Sequence, residues 1–187
     1  ASYKSVSKPL KDSQILNKKD FLNAKEVIKF VKARKWNSAL KATKKVKNPE
    51  FRNLVNWMYL KTTGNSATFN DYRTFISNNS DYPRLGRLQF LAEHKIYLKN
   101  NSPTSIINWF DKYPPVSGMG KIKLAEAYLE QGKLDQVSAL IKDGWTTAKI
   151  RKNDLGYYRA KFKKFLTTDD HIKRADYLAW NSKYWDL

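Results

Sequence analysis

The chain has 187 residues, with 36 Lys or Arg against 17 Asp or Glu, a formal net charge of +19, and no cysteine. A hydrophobic share of 41% and an aromatic share of 14% supply more apolar surface than a disordered chain has. The lack of cysteine excludes disulfides and thiolate metal sites, and no apolar run approaches the roughly 18 residues that a membrane span requires.

Residues 1–18 read as a loose basic lead, and 19–187 as a single α-helical domain that could continue further. The opening Ala1-Ser2-Tyr3-Lys4 lacks the apolar stretch of a signal peptide, and a small first residue suits a mature secreted chain. Charge is concentrated early: residues 1–47 hold 14 Lys or Arg against Asp12, Asp20 and Glu26. Such a field attracts polyanions, whether nucleic acid, acidic wall polymer or an anionic membrane surface. The bias of 28 Lys to 8 Arg, beside 15 Asn, also suits plain genome composition, and it is poor in the guanidinium forks that phosphate sites favour.

Periodicity predicts helix almost throughout. Asp20 is expected to cap a first helix with Ala24, Val27, Ile28 and Val31 on one face, closed by Lys35. Trp36, Ala39, Leu40 and Thr43 form the stripe of a second. Asn48-Pro49-Glu50 is a cap, a first-turn proline and an acidic start for Phe51, Leu54, Val55, Met58 and Tyr59. Gly64 ends that helix. Thr68 opens the next through Phe69, Tyr72, Phe75 and Ile76, and Leu85, Leu88, Leu91, Ala92 and Ile96 follow on another. Ser102-Pro103 starts Ile106, Ile107, Trp109, Phe110 and Tyr113, ended by Pro114-Pro115. Beyond a loop at Val116-Ser117-Gly118 come Leu124, Ala125, Tyr128 and Leu129. After Gly132 come Leu134, Val137, Leu140 and Ile141, then Leu155, Tyr158, Phe162 and Phe165. Thr167 and Asp170 form a capping pair for the last helix, through Ile172, Ala175 and Ala179.

Several of these segments are apolar on two sides, which suits helices sandwiched between neighbours. Trp36 and Leu134 open comparable second helices at a separation close to three units of about 33 residues. The expected fold is all-α: a right-handed superhelical stack of about ten short helices, a tetratricopeptide-like α-solenoid.

Three quarters of the chain, from about Asn48 to Asp186, resembles the helical superstructure domain of soluble lytic murein transglycosylases. The resemblance runs through Phe75-Ile76-Ser77, Asn79 and Asp81-Tyr82-Pro83, and through Trp109-Phe110 before Pro114. It continues in Gly120-Lys121, Leu124-Ala125 and Ala127, the turn at Gly132, and a helix ending near Trp145. It closes on Leu166-Thr167, Asp170-His171, Arg174, Asp176, Leu178 and Trp180. Ser80, Tyr82 and Ala179 depart from the commoner Pro, Trp and Leu. The resemblance implies a bacterial, periplasmic chain, its signal peptide removed, that scaffolds and guides substrate. The implied partners are a peptidoglycan glycan strand or other anionic wall polymer, and the family's separate lysozyme-like catalytic domain. In that family a catalytic Glu followed by Ser does the cutting. None of Glu26, Glu50, Glu93, Glu126 and Glu130 is followed by Ser, so no catalytic residue is expected here. Glu93, Glu126 and Glu130 read as solvated helix faces.

Lys41, Lys44, Lys45, Lys47 and Arg52, at the end of one helix and the start of the next, are the first choice for an anionic contact. Trp145, Trp180 and Trp185, interleaved with Lys173, Arg174 and Lys183, are candidates for stacking on sugar rings. Their competing use is packing between helix layers. Asp170, His171, Arg174 and Asp176 read as a structural motif in which His171 and Arg174 share a face and clasp a neighbouring helix. Gly118-Met119-Gly120-Lys121 resembles part of a phosphate loop but has Ile122 where Ser or Thr is needed. With His94 and His171 far apart, no metal and no cofactor is expected. A helical-repeat module for nucleic acid or an acidic protein partner is the alternative function.

Overall fold

The computed structural model describes residues 13–181. Among the described residues it holds ten α-helices and no strand, so the chain is all-α. They are α1 (Lys18–Lys32), α2 (Trp36–Thr43), α3 (Pro49–Leu60), α4 (Phe69–Asn78), α5 (Leu85–Glu93), α6 (Pro103–Lys112), α7 (Gly118–Glu130), α8 (Leu134–Thr147), α9 (Lys152–Lys161) and α10 (Thr168–Trp180). Two compact units, Ala1–Ser66 and Ala67–Leu187, divide them three and seven.

In the first unit α1 and α2 form a hairpin and α3 packs on α2. Val27, Ala42, Val46 and Val55 are buried together, and Phe30, Val31 and Phe51 cover them. The turn between α1 and α2 places Arg34 at φ 55°, a left-handed conformation that costs a non-glycine residue a little. Asn48 caps α3 by accepting from the Phe51 N–H at 2.9 Å, with Pro49 in the first turn. At the other end the chain leaves α3 through Gly64, at φ 76°. Asn65 Nδ2 donates to the carbonyls of Tyr59, Leu60 and Thr62, satisfying acceptors that the helix end leaves open.

Asp20 is not the cap of α1. Asn17 is: its side chain accepts from the Asp20 N–H at 2.9 Å. The Asp20 carboxylate, 3% exposed, instead accepts from the backbone N–H of Lys47 at 3.0 Å and of Asn48 at 2.9 Å. It ties the first turn of α1 to the turn between α2 and α3. Removing it leaves two N–H groups without an acceptor in a place where water replaces it poorly. We expect Asp20→Ala to cost about 2–4 kcal/mol in urea unfolding, with Asp20→Asn close behind because its amide offers one acceptor for two donors. A loss under about 0.5 kcal/mol would show that the tie is not used.

In the second unit α4 packs on α5, α6 on α7, α7 on α8, and α10 on α8, with α5 also meeting α7. Thr68 with Asp71, and Thr167 with Asp170, close reciprocal capping boxes at the starts of α4 and α10. Ser102 caps α6 and Ser117 caps α7, so Gly118 is the first residue of a helix and not part of a loop. One core cluster joins Met119, Ile122 and Ala125 of α7, Val137, Ile141 and Trp145 of α8, and Tyr158, Phe162 and Leu166 further on. Close approach explains two glycines. A Cβ on Gly118 would stand 2.5 Å from the Ala148 backbone nitrogen, and one on Gly144 would stand 2.8 Å from the Gly118 carbonyl oxygen. The start of α7 and the end of α8 touch backbone to backbone there.

Candidate functional site

The basic group of the first unit follows from its tie. Lys41 lies in the last turn of α2, Lys44, Lys45 and Lys47 in the turn after it, and Arg52 in the first half of α3. All five side chains are exposed, and none makes an ion pair among the described residues. Asn23 Nδ2 donates to the Lys45 carbonyl at 3.1 Å, so α1 holds this turn through Asn23 and Asp20 together. The nearest buried acid thus spends both oxygens on backbone N–H groups. Glu50 is the one acid within residues 41–52. A fixed, almost uncompensated cationic turn results.

The residues His171 and Arg174 grip the end of α8. Arg174, 5% exposed, donates from Nη1 to the Trp145 carbonyl at 2.7 Å and to the Ala148 carbonyl at 2.8 Å. His171 Nδ1 accepts from Trp145 Nε1 at 3.1 Å. Asp170 is buried at the start of α10; burial works against its charge, yet the Thr167 N–H and hydroxyl outweigh it and hold its carboxyl below the usual range. Asp176 is exposed and lies outside this grip.

These positions settle which aromatics have an open ring. Trp145 is 1% exposed, with the Arg174 guanidinium 5.3 Å from its ring and His171 edge-on. The sugar-stacking role expected for Trp145 is corrected to a core role, because neither ring face is open. Trp180 is 87% exposed at the end of α10 and has an open face. Trp185, with Lys183 and Tyr184, lies outside the described residues.

Two glutamates expected on solvated faces are buried instead. Glu93, at the end of α5, is fully buried. Its Oε1 accepts from the Val116 N–H at 2.8 Å, Oε2 from the Ser117 hydroxyl, and Gln89 adds a longer contact at 3.3 Å. Burial pushes its carboxyl above the usual range, and the bonds from Ser117, Val116 and Gln89 recover part of that shift. Gln89 also donates to the Tyr113 and Pro114 carbonyls, so α5 fastens the whole loop between α6 and α7. With every carboxylate oxygen held by the chain, Glu93 positions a loop. Glu126, 3% exposed on α7, accepts from the Tyr157 hydroxyl at 2.6 Å and from Lys161 at 3.1 Å, and Lys161 also reaches the more open Glu130 at 2.8 Å.

Beside it lies Lys123, 3% exposed, which sequence reasoning passed over. Its ammonium sits 4.4 Å from the Tyr97 ring centre and donates to the Tyr158 hydroxyl. Burial pulls the Lys123 pKa down to about 8, against the opposing pull of Glu126 and Asp154. A signal was present: α7 has apolar residues on all its sides, leaving no solvated face for Lys123 or Glu126.

Among the described residues no group of His, Asp or Glu has the arrangement to hold a metal, and no helix is long and apolar enough to cross a membrane. Comparison with protein-family models, with curated proteins and with solved structures gives no match for this chain.

Proposed function

We propose that this chain is a non-catalytic scaffold that guides an anionic cell-wall polymer, similar in role to the superstructure domain of soluble lytic murein transglycosylases. The observation that bears most of the weight is the fixed cationic turn of Lys41, Lys44, Lys45, Lys47 and Arg52, exposed and without ion pairs among the described residues. The backbone of the turn is held before a ligand arrives, so only the Lys and Arg side chains remain to be ordered on binding. The order of the resembling segments, from Phe75-Ile76-Ser77 to Trp180, supports the family reading. In the second unit the main helix contacts join neighbours or next neighbours in the chain, a pattern compatible with a solenoid of hairpins. On this reading the chain is periplasmic, and a partner module performs the cleavage.

Retention on insoluble peptidoglycan tests it. Wild-type protein should be retained at low salt and released as ionic strength shortens the reach of its charges. A variant with Lys41, Lys44, Lys45, Lys47 and Arg52 all changed to Gln should bind about tenfold more weakly or worse, since each exposed cation adds a modest share. A clearing band in a peptidoglycan zymogram would overturn the non-catalytic part. Binding to duplex DNA that soluble wall fragments fail to displace would overturn the choice of polymer.

A further inference from the structure

The second unit contains an open groove of about 430 Å³ between α4 and α6, inside the range of about 300–1,000 Å³ typical of small-ligand sites. Arg73 and Lys112 are the charged side chains that line it, both positive. Arg73 is aimed by its neighbours: Nη1 donates to Ser105 Oγ at 2.9 Å and Nη2 to Asn70 Oδ1 at 2.8 Å. A guanidinium braced on two sides keeps its remaining N–H groups in a fixed direction.

The rest of the lining has a different chemistry. Ser77, Thr104 and Asn108 add hydroxyl and amide groups, and Gln131 steadies Thr104 from outside at 3.0 Å. One wall is aromatic: Trp109 and Tyr113 stack at 4.2 Å between centres and 32° between planes. Phe69 meets the indole edge-on at 5.5 Å and locks its orientation. Trp109 is 5% exposed, and its indole Nε1 has no hydrogen-bond acceptor among the described residues. A buried N–H without an acceptor is costly, and on a residue that lines the groove it serves as a reporter of what binds there.

From this combination we infer that the groove between α4 and α6 binds a carboxylate-bearing saccharide. Arg73 and Lys112 take the carboxylate, the hydroxyl and amide groups take the ring hydroxyls, and the half-buried Tyr113, backed by the buried Trp109, covers an apolar sugar face. A plain phosphate or acetate would leave the aromatic wall unused, and a neutral sugar would leave two cations unused. The inference goes beyond the wall-scaffold reading, because it requires neither the cationic turn of the first unit nor a polymer. Either can fail without the other.

Titration of the full chain with D-glucuronate, its neutral methyl ester and acetate, followed by the indole N–H resonance of Trp109 in NMR, tests it. Glucuronate should move that resonance saturably with Kd on the order of 1 mM, as expected of an open groove. The ester and acetate should bind about tenfold more weakly or not at all, as should glucuronate to Arg73→Met. No movement with glucuronate, equal binding of the ester, or equal binding of acetate would each overturn the inference. Where R73M fails to fold, Lys112→Met is read in its place: binding weakened severalfold supports the site, and unchanged binding overturns it.

Discussion

Replacing Arg174 with Ala should lower the stability of the second unit by about 3–4 kcal/mol, read as an earlier midpoint in urea unfolding. The side chain supplies a buried cation to the last carbonyls of α8, those of Trp145 and Ala148, which have no partners within the helix. It also places positive charge at the negative end of the α8 dipole. Loss of the guanidinium therefore removes two charge-assisted bonds and leaves two acceptors in a dry place. Arg174→Lys should recover about half, since one ammonium on a flexible stem reaches one carbonyl well and the second poorly. His171→Ala should cost about 1 kcal/mol, the worth of the single bond from Trp145 Nε1. An R174A protein as stable as its parent would show that this grip is incidental to how α10 docks.

How much of this was legible depends on how far apart the partners lie. The helix starts at Asn48, Thr68, Ser102 and Thr167 were readable because each cap bonds a residue three positions on, so sequence spacing and geometry are one statement. The shared face of His171 and Arg174 was readable for the same reason, though which helix they would grip was not. Asp20 shows where local reasoning stops. Its carboxylate answers N–H groups 27 and 28 residues away, while the local pattern offered it as a cap. Glu93 and Glu126 fail in the same manner, with partners 23 to 35 residues distant. Helical periodicity places a charged residue on the water side by default. That default breaks where a helix such as α7 is covered on several sides and its polar residues must find partners inside. The groove residues Arg73 and Lys112 escaped notice because they sit on different helices and belong to no motif.

Lys123 gives the second large effect, and its sign is opposite to the usual result of removing a buried group. In the folded chain its pKa is about 8, against an ordinary value of 10.5. Below pH 8 the ammonium is protonated in both states, and the folded state bears the desolvation cost in full. Between pH 8 and 10.5 the unfolded chain holds the extra proton, so stability rises with pH across that window. The rise should reach about 3 kcal/mol, since each pKa unit is worth about 1.4 kcal/mol. Its neighbours oppose that rise near the top of the window. Burial, with Glu126 next, keeps the Tyr158 hydroxyl protonated where an unfolded tyrosine loses its proton around pH 10, and Lys161 keeps its charge against burial through Glu130, Tyr157 and Glu126, so the Lys123 share is read as the difference between wild type and Lys123→Met. Changing Lys123 to Met should remove the rise between pH 8 and 10.5 and raise stability at neutral pH, so the gap between wild type and variant should narrow across that window. Part of that gain is offset, because the Tyr158 hydroxyl loses its donor and the Tyr97 ring loses its cation. Lys123→Met with Tyr158→Phe removes both polar ends, and should exceed the single variant in stability at pH 7. Denaturant unfolding at a series of pH values checks this. If wild type and K123M keep a constant difference from pH 7 to 10.5, the ammonium is solvated in the folded chain and the aromatic enclosure around it is open to water.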